Sequence, residues 1–148
     1  MAEHSKGVVR ALEELLADSY TLYLKTHSYH WNVTGPMFST LHLLFETQYT
    51  ELALAVDEIA ERIRALGAPA PGSYSQFKER ARVKEDTGVP KATDMVRNLV
   101  ADHESVVATA KKLVKEAEAA GDEASVDLGV RRIQISEKNA WMLRSHLE

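Results

Sequence analysis

The sequence predicts an all-α fold: a bundle of four long helices, with a short extra helix in a long crossover between the second and third of them. Three observations predict it. Apolar residues recur at three- and four-residue steps along four long stretches. Glycine and proline cluster at the joints between them. The first and last joints are short, whereas the middle one spans residues 67–90.

The first helix occupies residues 6–33, with Val9, Leu12, Leu16, Tyr20, Tyr23 and His27 on one stripe. It ends at Val33-Thr34-Gly35-Pro36, because glycine suits a C-terminal cap and proline cannot continue a helix. The second opens at Ser39 and runs to Leu66, where Gly67 stops it. Its buried stripe is Leu41, Leu44, Phe45, Gln48, Leu52, Val56, Ile59 and Ile63. A connection as long as 67–90 calls for structure of its own. Ser73-x-x-Gln76 is a capping-box pattern and predicts a short helix at 73–82. The third long helix runs from Lys91 to Ala120, ended by Gly121, and the fourth follows Asp122, a good N-cap, to His146. Two helices, one long crossover and two more helices make the ferritin-like plan, in a single domain covering residues 1–148.

Composition narrows the function. With no cysteine, disulfides, thiolate metal sites and cysteine nucleophiles are excluded. No apolar run reaches the length of a membrane span and the N-terminus lacks a signal-peptide core, so a cytoplasmic location is expected. A net charge of −4 argues against a generally basic nucleic-acid surface.

Two side-chain pairs on the second helix carry the chemistry. His42 and Glu46 are four residues apart, as are Asp57 and Glu61, and residues at i and i+4 share a helix face. Imidazole and carboxylate together suit iron, manganese or zinc. Singly, an exposed glutamate is only a solvated side chain; in combination, acids and histidine flank an apolar stripe where carboxylates are costly unless paired or metal-bound. His42 and Asp57 are 57 − 42 = 15 residues apart, roughly 22 Å at about 1.5 Å per residue. One straight helix cannot close both pairs on one ion. Antiparallel pairing with a second copy about a two-fold axis near Glu51-Leu52 places His42 opposite Asp57 of the other chain and makes two identical sites. His30, at the end of the first helix, reaches the same cluster. No glutamate is followed three residues later by histidine, so the intrachain di-iron site of ferritin-like bundles is not expected; either the metal lies between subunits or there is none.

The segment His30-Trp31-Asn32-Val33-x-Gly35-x-x-Phe38-x-x-Leu41-His42-x-x-x-x-Glu46, followed by Asp57-x-x-Ala60-Glu61-Arg62-Ile63, resembles the Dps family of mini-ferritins. The likeness extends over the whole chain, including Asp102-His103-Glu104 and Trp141. It implies a hollow dodecameric shell built from two-fold dimers. Ferrous iron would be oxidised at one- or two-iron centres shared between subunits, preferably by hydrogen peroxide, and stored as ferric mineral. It makes His30, His42, Asp57 and Glu61 the catalytic set, with Glu46 as a further iron ligand. It also suggests Trp31 as an electron donor, against a plain packing role. Acidic pores at three-fold axes would lie near the start of the last helix, where Glu123 and Asp127 share a face.

Other features are given lesser roles. His27 reads as a hydrogen-bonded interface histidine and His103 as structural. Asn32-Val33-Thr34 is a sequon with nothing to direct it to secretion, and Gly67-x-x-x-x-Gly72 lacks the lysine of a phosphate loop. Some Dps relatives compact DNA through basic tails, which neutralise phosphates. Met1–Lys6 carries one lysine and one glutamate, and the chain closes on Arg144-Ser145-His146-Leu147-Glu148. Weak or absent DNA binding is expected, and a nucleoid-associated DNA-compacting protein is the alternative function.

Overall fold

The computed structural model describes residues 3–148, with side chains from Ser5 onward. The leading residues of Met1–Lys6, read above for DNA contact, lie outside the described residues. The chain is all-helical: α1 (Glu3–Asn32), α2 (Phe38–Ala65), the short α3 (Tyr74–Arg80), α4 (Ala92–Ala120) and α5 (Glu123–Arg144), closed by a 3-10 turn at Ser145–Leu147. No described helix is long and apolar enough to cross a membrane.

Local chemistry sets each boundary. Gly35 adopts a φ of +102°, a region open to glycine but costly for other residues, and reverses the chain between α1 and α2. The Ser73 hydroxyl caps α3 by accepting from Gln76 N, while the Gln76 amide oxygen reaches back to Gly72 N at 3.0 Å. At the end of α4, Gly121 is left-handed with φ +67°. There Asp122 N donates to Ala117 O and Gly121 N to Glu118 O, which satisfies carbonyls that the helix itself leaves free. Asp122 then turns round and caps α5, accepting from Ser125 N at 3.0 Å.

Cross-helix pairs give the topology. Glu14 meets Lys112, Asp18 meets Thr109, Lys25 meets Asp102 and Tyr29 meets Asn98, so α4 runs antiparallel to α1. The hairpins α1–α2 and α4–α5 are antiparallel too, so the crossover must travel the length of the bundle. Leu12, Leu16, Phe45, Leu52, Leu99 and Leu113 are among its fully enclosed side chains. At Gly129 an added Cβ would stand 2.7 Å from Val114 Cγ2, so only glycine lets α5 approach α4 this closely.

Three residues on one face of α1 tie down the crossover. The buried Asp18 carboxylate accepts from Arg82 N, Val83 N and Thr109 Oγ1 at 2.7, 3.0 and 2.6 Å. Lys25 donates to Lys84 O, and the Tyr29 hydroxyl donates to Asp86. The connection is therefore anchored, not free, and it holds α3 against α1.

Candidate metal centre

The tight turn at Gly35 brings the last turn of α1 against the first turns of α2, and with them His30 against His42. Their rings stack 3.8 Å apart at 13°. Each Nδ1 lies 2.7 Å from the main-chain oxygen of the other residue. A carbonyl oxygen only accepts, so each Nδ1 must carry the proton and donate. His30 O belongs to the last turn of α1, where carbonyls lack helical partners, and His42 supplies one. The tautomer follows: both Nε2 atoms keep their lone pairs, the arrangement typical of metal-ligating histidines. Glu46 Oε1 stands 3.9 Å from His30 Nε2. That is within the span an ion about 2.1 Å from each atom can bridge.

Aromatic rings fix these imidazoles from several sides. Phe38 stacks on His42 at 5.0 Å, and Tyr49 meets His30 edge-on at 5.1 Å. His27 lies between Tyr49 and Trp31, 4.0 Å from each ring centre. Burial, reinforced by the neighbouring His30, lowers its pKa. Within the chain His27 is held by stacking on both sides. Trp31 packs on His27 and leaves 60% of its surface exposed. Tyr49 and Phe38 were not singled out from the sequence as neighbours of the site, yet they lie at +7 and −4 from His42, on its face of α2.

Asp57 and Glu61 stand exposed near the other end of α2, which runs unbroken between them and His42. They face a groove of about 430 Å³ between α2 and α5, shared with Leu54, Asp127 and Arg131. A single chain brings together His30, His42 and Glu46 on one side and Asp57 and Glu61 on the other. It does not join the two sets. Beside each set an apolar side chain stands in solvent: Leu43 is 61% exposed and Leu54 71%.

Glu123 is exposed in the first turn of α5, and Asp127 accepts from Arg131 Nε at 3.0 Å. Asp122 is occupied by its capping bonds and by Arg62, which hold its carboxyl below the usual range against the opposing effect of burial. His103 is fully buried beside Ser136 and Arg132. That environment suits the structural role expected of it.

The family model of the ferritin-like domain matches residues 9–148. The DNA protection during starvation protein 2 of Bacillus anthracis is 38% identical over 143 residues, covering 97% of this chain and 98% of that protein. A Dps protein from Bacillus brevis superposes with a TM-score of 0.96 at 36% identity, over 100% of this chain and 99% of that one.

The chain belongs to the Dps family.

A Dps protein from Vibrio cholerae O1, described as a member of a broad superfamily of ferritin-like diiron-carboxylate proteins, matches with a TM-score of 0.93 at 34% identity, over 98% of this chain and 91% of that one. An uncharacterized low temperature-induced protein of Nostoc is 43% identical over 148 residues, covering 99% of this chain and 83% of that protein.

Proposed function

We propose that this Dps-family chain is a ferroxidase and iron-storing mini-ferritin that protects the cytoplasm from oxidative damage. The observation that carries the reading is the reciprocal His30–His42 lock. It leaves both Nε2 lone pairs free, that of His30 3.9 Å from the Glu46 carboxylate, and these three side chains would supply half of an iron site. The diiron-carboxylate description of the Vibrio cholerae relative supports iron as the ion. A second copy, docked along α2 over Leu43 and Leu54, supplies Asp57 and Glu61 as the other half. Six such dimers close a dodecameric shell.

Iron is the substrate. Neutral imidazoles bind ferrous iron well, whereas carboxylates favour the ferric product. Hydrogen peroxide takes one electron from each of two ferrous ions; its O–O bond breaks and both oxygens leave as hydroxide or water. No hydroxyl radical is released, and the ferric ions pass along carboxylates to a mineral in the cavity. Glu123 and Asp127 line the pore that admits iron, and Trp31 serves as an auxiliary electron donor. The Bacillus anthracis relative is named for DNA protection, which is compatible with a second reading, DNA compaction. The net charge of −4 weighs against that reading.

Stopped-flow ferrous oxidation by peroxide tests the proposal. The His30→Ala/His42→Ala double variant should lose at least about tenfold in rate, the cost usual for disturbed metal ligation, while keeping its native mass. Equal rates for wild type and variant would overturn it.

A further inference from the structure

The core of the bundle changes character part-way along its length. On the inward stripe of α2, Phe45 and Leu52 flank Gln48; all three are buried and Gln48 alone is polar. On α4, His103 stands buried between Leu99 and Val106. On α5, Leu128 and Leu143 flank Arg132, Ser136 and Asn139, all buried.

These polar interruptions meet. Ser136 Oγ lies 3.3 Å from His103 Nδ1. One turn earlier on α5, Arg132 grips Glu51 of α2 through both terminal nitrogens, at 2.5 and 2.9 Å. Arg62 meets Asp122 and Glu51 meets Arg132, so α5 runs antiparallel to α2. The step from Arg132 to Ser136 is then matched by the step back from Glu51 to Gln48. Gln48 therefore enters the core at the level of Ser136 and His103.

Hydrogen bonding within this layer does not close. Among the described residues, Gln48 Oε1 and Nε2, His103 Nε2, Arg132 Nε and Asn139 Nδ2 have no partner, and all five atoms are shut off from solvent. Turning the Gln48 amide over exchanges one orphan for another. Buried polar groups are as a rule paired, with protein or with bound water. The chemistry of the orphans says what would pair them. Gln48 Nε2, Arg132 Nε and Asn139 Nδ2 donate and Gln48 Oε1 accepts, while His103 Nε2 does either, according to which member of the His103–Ser136 pair holds the proton. A cation cannot receive the donors, and an anion cannot serve Gln48 Oε1. A metal ion would also meet the Arg132 charge, to which the Glu51 carboxylate is already bonded. What fits is a small neutral molecule that both gives and takes hydrogen bonds. Ser136 leaves room for it where a leucine, as at 128 and 143, would fill the stripe.

We propose that the bundle core holds a binding site for ordered water between α2, α4 and α5, anchored by the Gln48 amide and His103 Nε2. Buried waters typically make about three hydrogen bonds to such polar groups. Ferritin-like bundles carry their intrachain metal on inward side chains of facing helices. Here neutral solvent takes that place, and Arg132 keeps cations from it. The site lies within one subunit and stands whether or not the shell oxidises iron.

A crystal structure of the assembled protein, at a resolution that shows ordered water, tests the proposal. Every subunit should contain a water about 2.7–3.2 Å from the Gln48 amide and from His103 Nε2. In Gln48→Leu that water should be lost with the fold intact. Crystals soaked in cobalt(II) should show no anomalous peak in the layer. A dry layer in which Gln48 bonds His103 or Ser136 directly would overturn the site, and so would a cobalt peak beside Gln48 and His103. A water unmoved in Gln48→Leu would overturn the anchoring. Wild-type density decides the question even if Gln48→Leu fails to assemble.

Discussion

Replacing His103 with glutamine should flatten the dependence of stability on pH. His103 is wholly buried, and burial together with the nearby Arg132 charge pushes its pKa down to about 3. Its Nδ1 faces Ser136 Oγ at 3.3 Å, and its Nε2 has no partner among the described residues. Protonation would therefore place a second positive charge beside Arg132 and a buried N–H with no described residue to accept it. An unfolded chain binds that proton near the ordinary histidine pKa of 6.5. Between pH 6.5 and 3 the unfolded state thus holds more protons, and stability falls as pH falls. The slope approaches about 1.4 kcal/mol per pH unit, so His103 alone should cost each subunit about 2 kcal/mol on going from pH 8 to pH 5. Glu58, Asp86 and Asp122, whose pKa values are lowered, act only further down, below the ordinary carboxylate range. His27 shifts in the same direction but stays partly exposed. Denaturant titration at pH 8 and pH 5 would measure the difference. An equal loss in wild type and His103→Gln would refute the assignment of the acid sensitivity to this residue.

Two further outcomes are expected. Asp18→Ala strips the crossover of a buried carboxylate holding two main-chain N–H groups and the Thr109 hydroxyl. It should cost about 3–5 kcal/mol by denaturant unfolding, and proteolysis should open first near Arg82. A gel shift at physiological salt should show no tight complex with duplex DNA, as the net charge of −4 implies. Salt-sensitive retardation there would count for the DNA-compacting reading.

Much of the fold was legible because punctuation and periodicity agreed. Ser73-x-x-Gln76, Gly121-Asp122 and Gly35-Pro36 each named a boundary that the structure places within a residue or two. The pairing of the candidate ligands, His42 with Glu46 and Asp57 with Glu61, was legible for a similar reason, since i, i+4 spacing survives in any helix. The His30–His42 lock was not. It depends on how far the hairpin register carries one ring toward the other residue's carbonyl, and no local pattern encodes that. Asp18 was missed although it stands in the apolar run Leu15-Leu16-Ala17-Asp18-Ser19, where a buried acid asks for donors. Its donors are two main-chain groups 64 and 65 residues away and a hydroxyl 91 residues away, invisible to composition. Gln48 fell on the predicted buried stripe, but its level with His103 and Ser136 depends on the register of three helices.

The central claim is that one subunit holds only half of each iron site. Shells assembled from an equal mixture of His42→Ala and Asp57→Ala chains test it most directly. In a shared site, random pairing leaves some two-fold interfaces with one intact centre and one doubly damaged centre. The mixture should then regain up to about a quarter of the wild-type oxidation rate, where each variant alone is inactive. A mixture as inactive as its parents, at full assembly, would contradict the shared site.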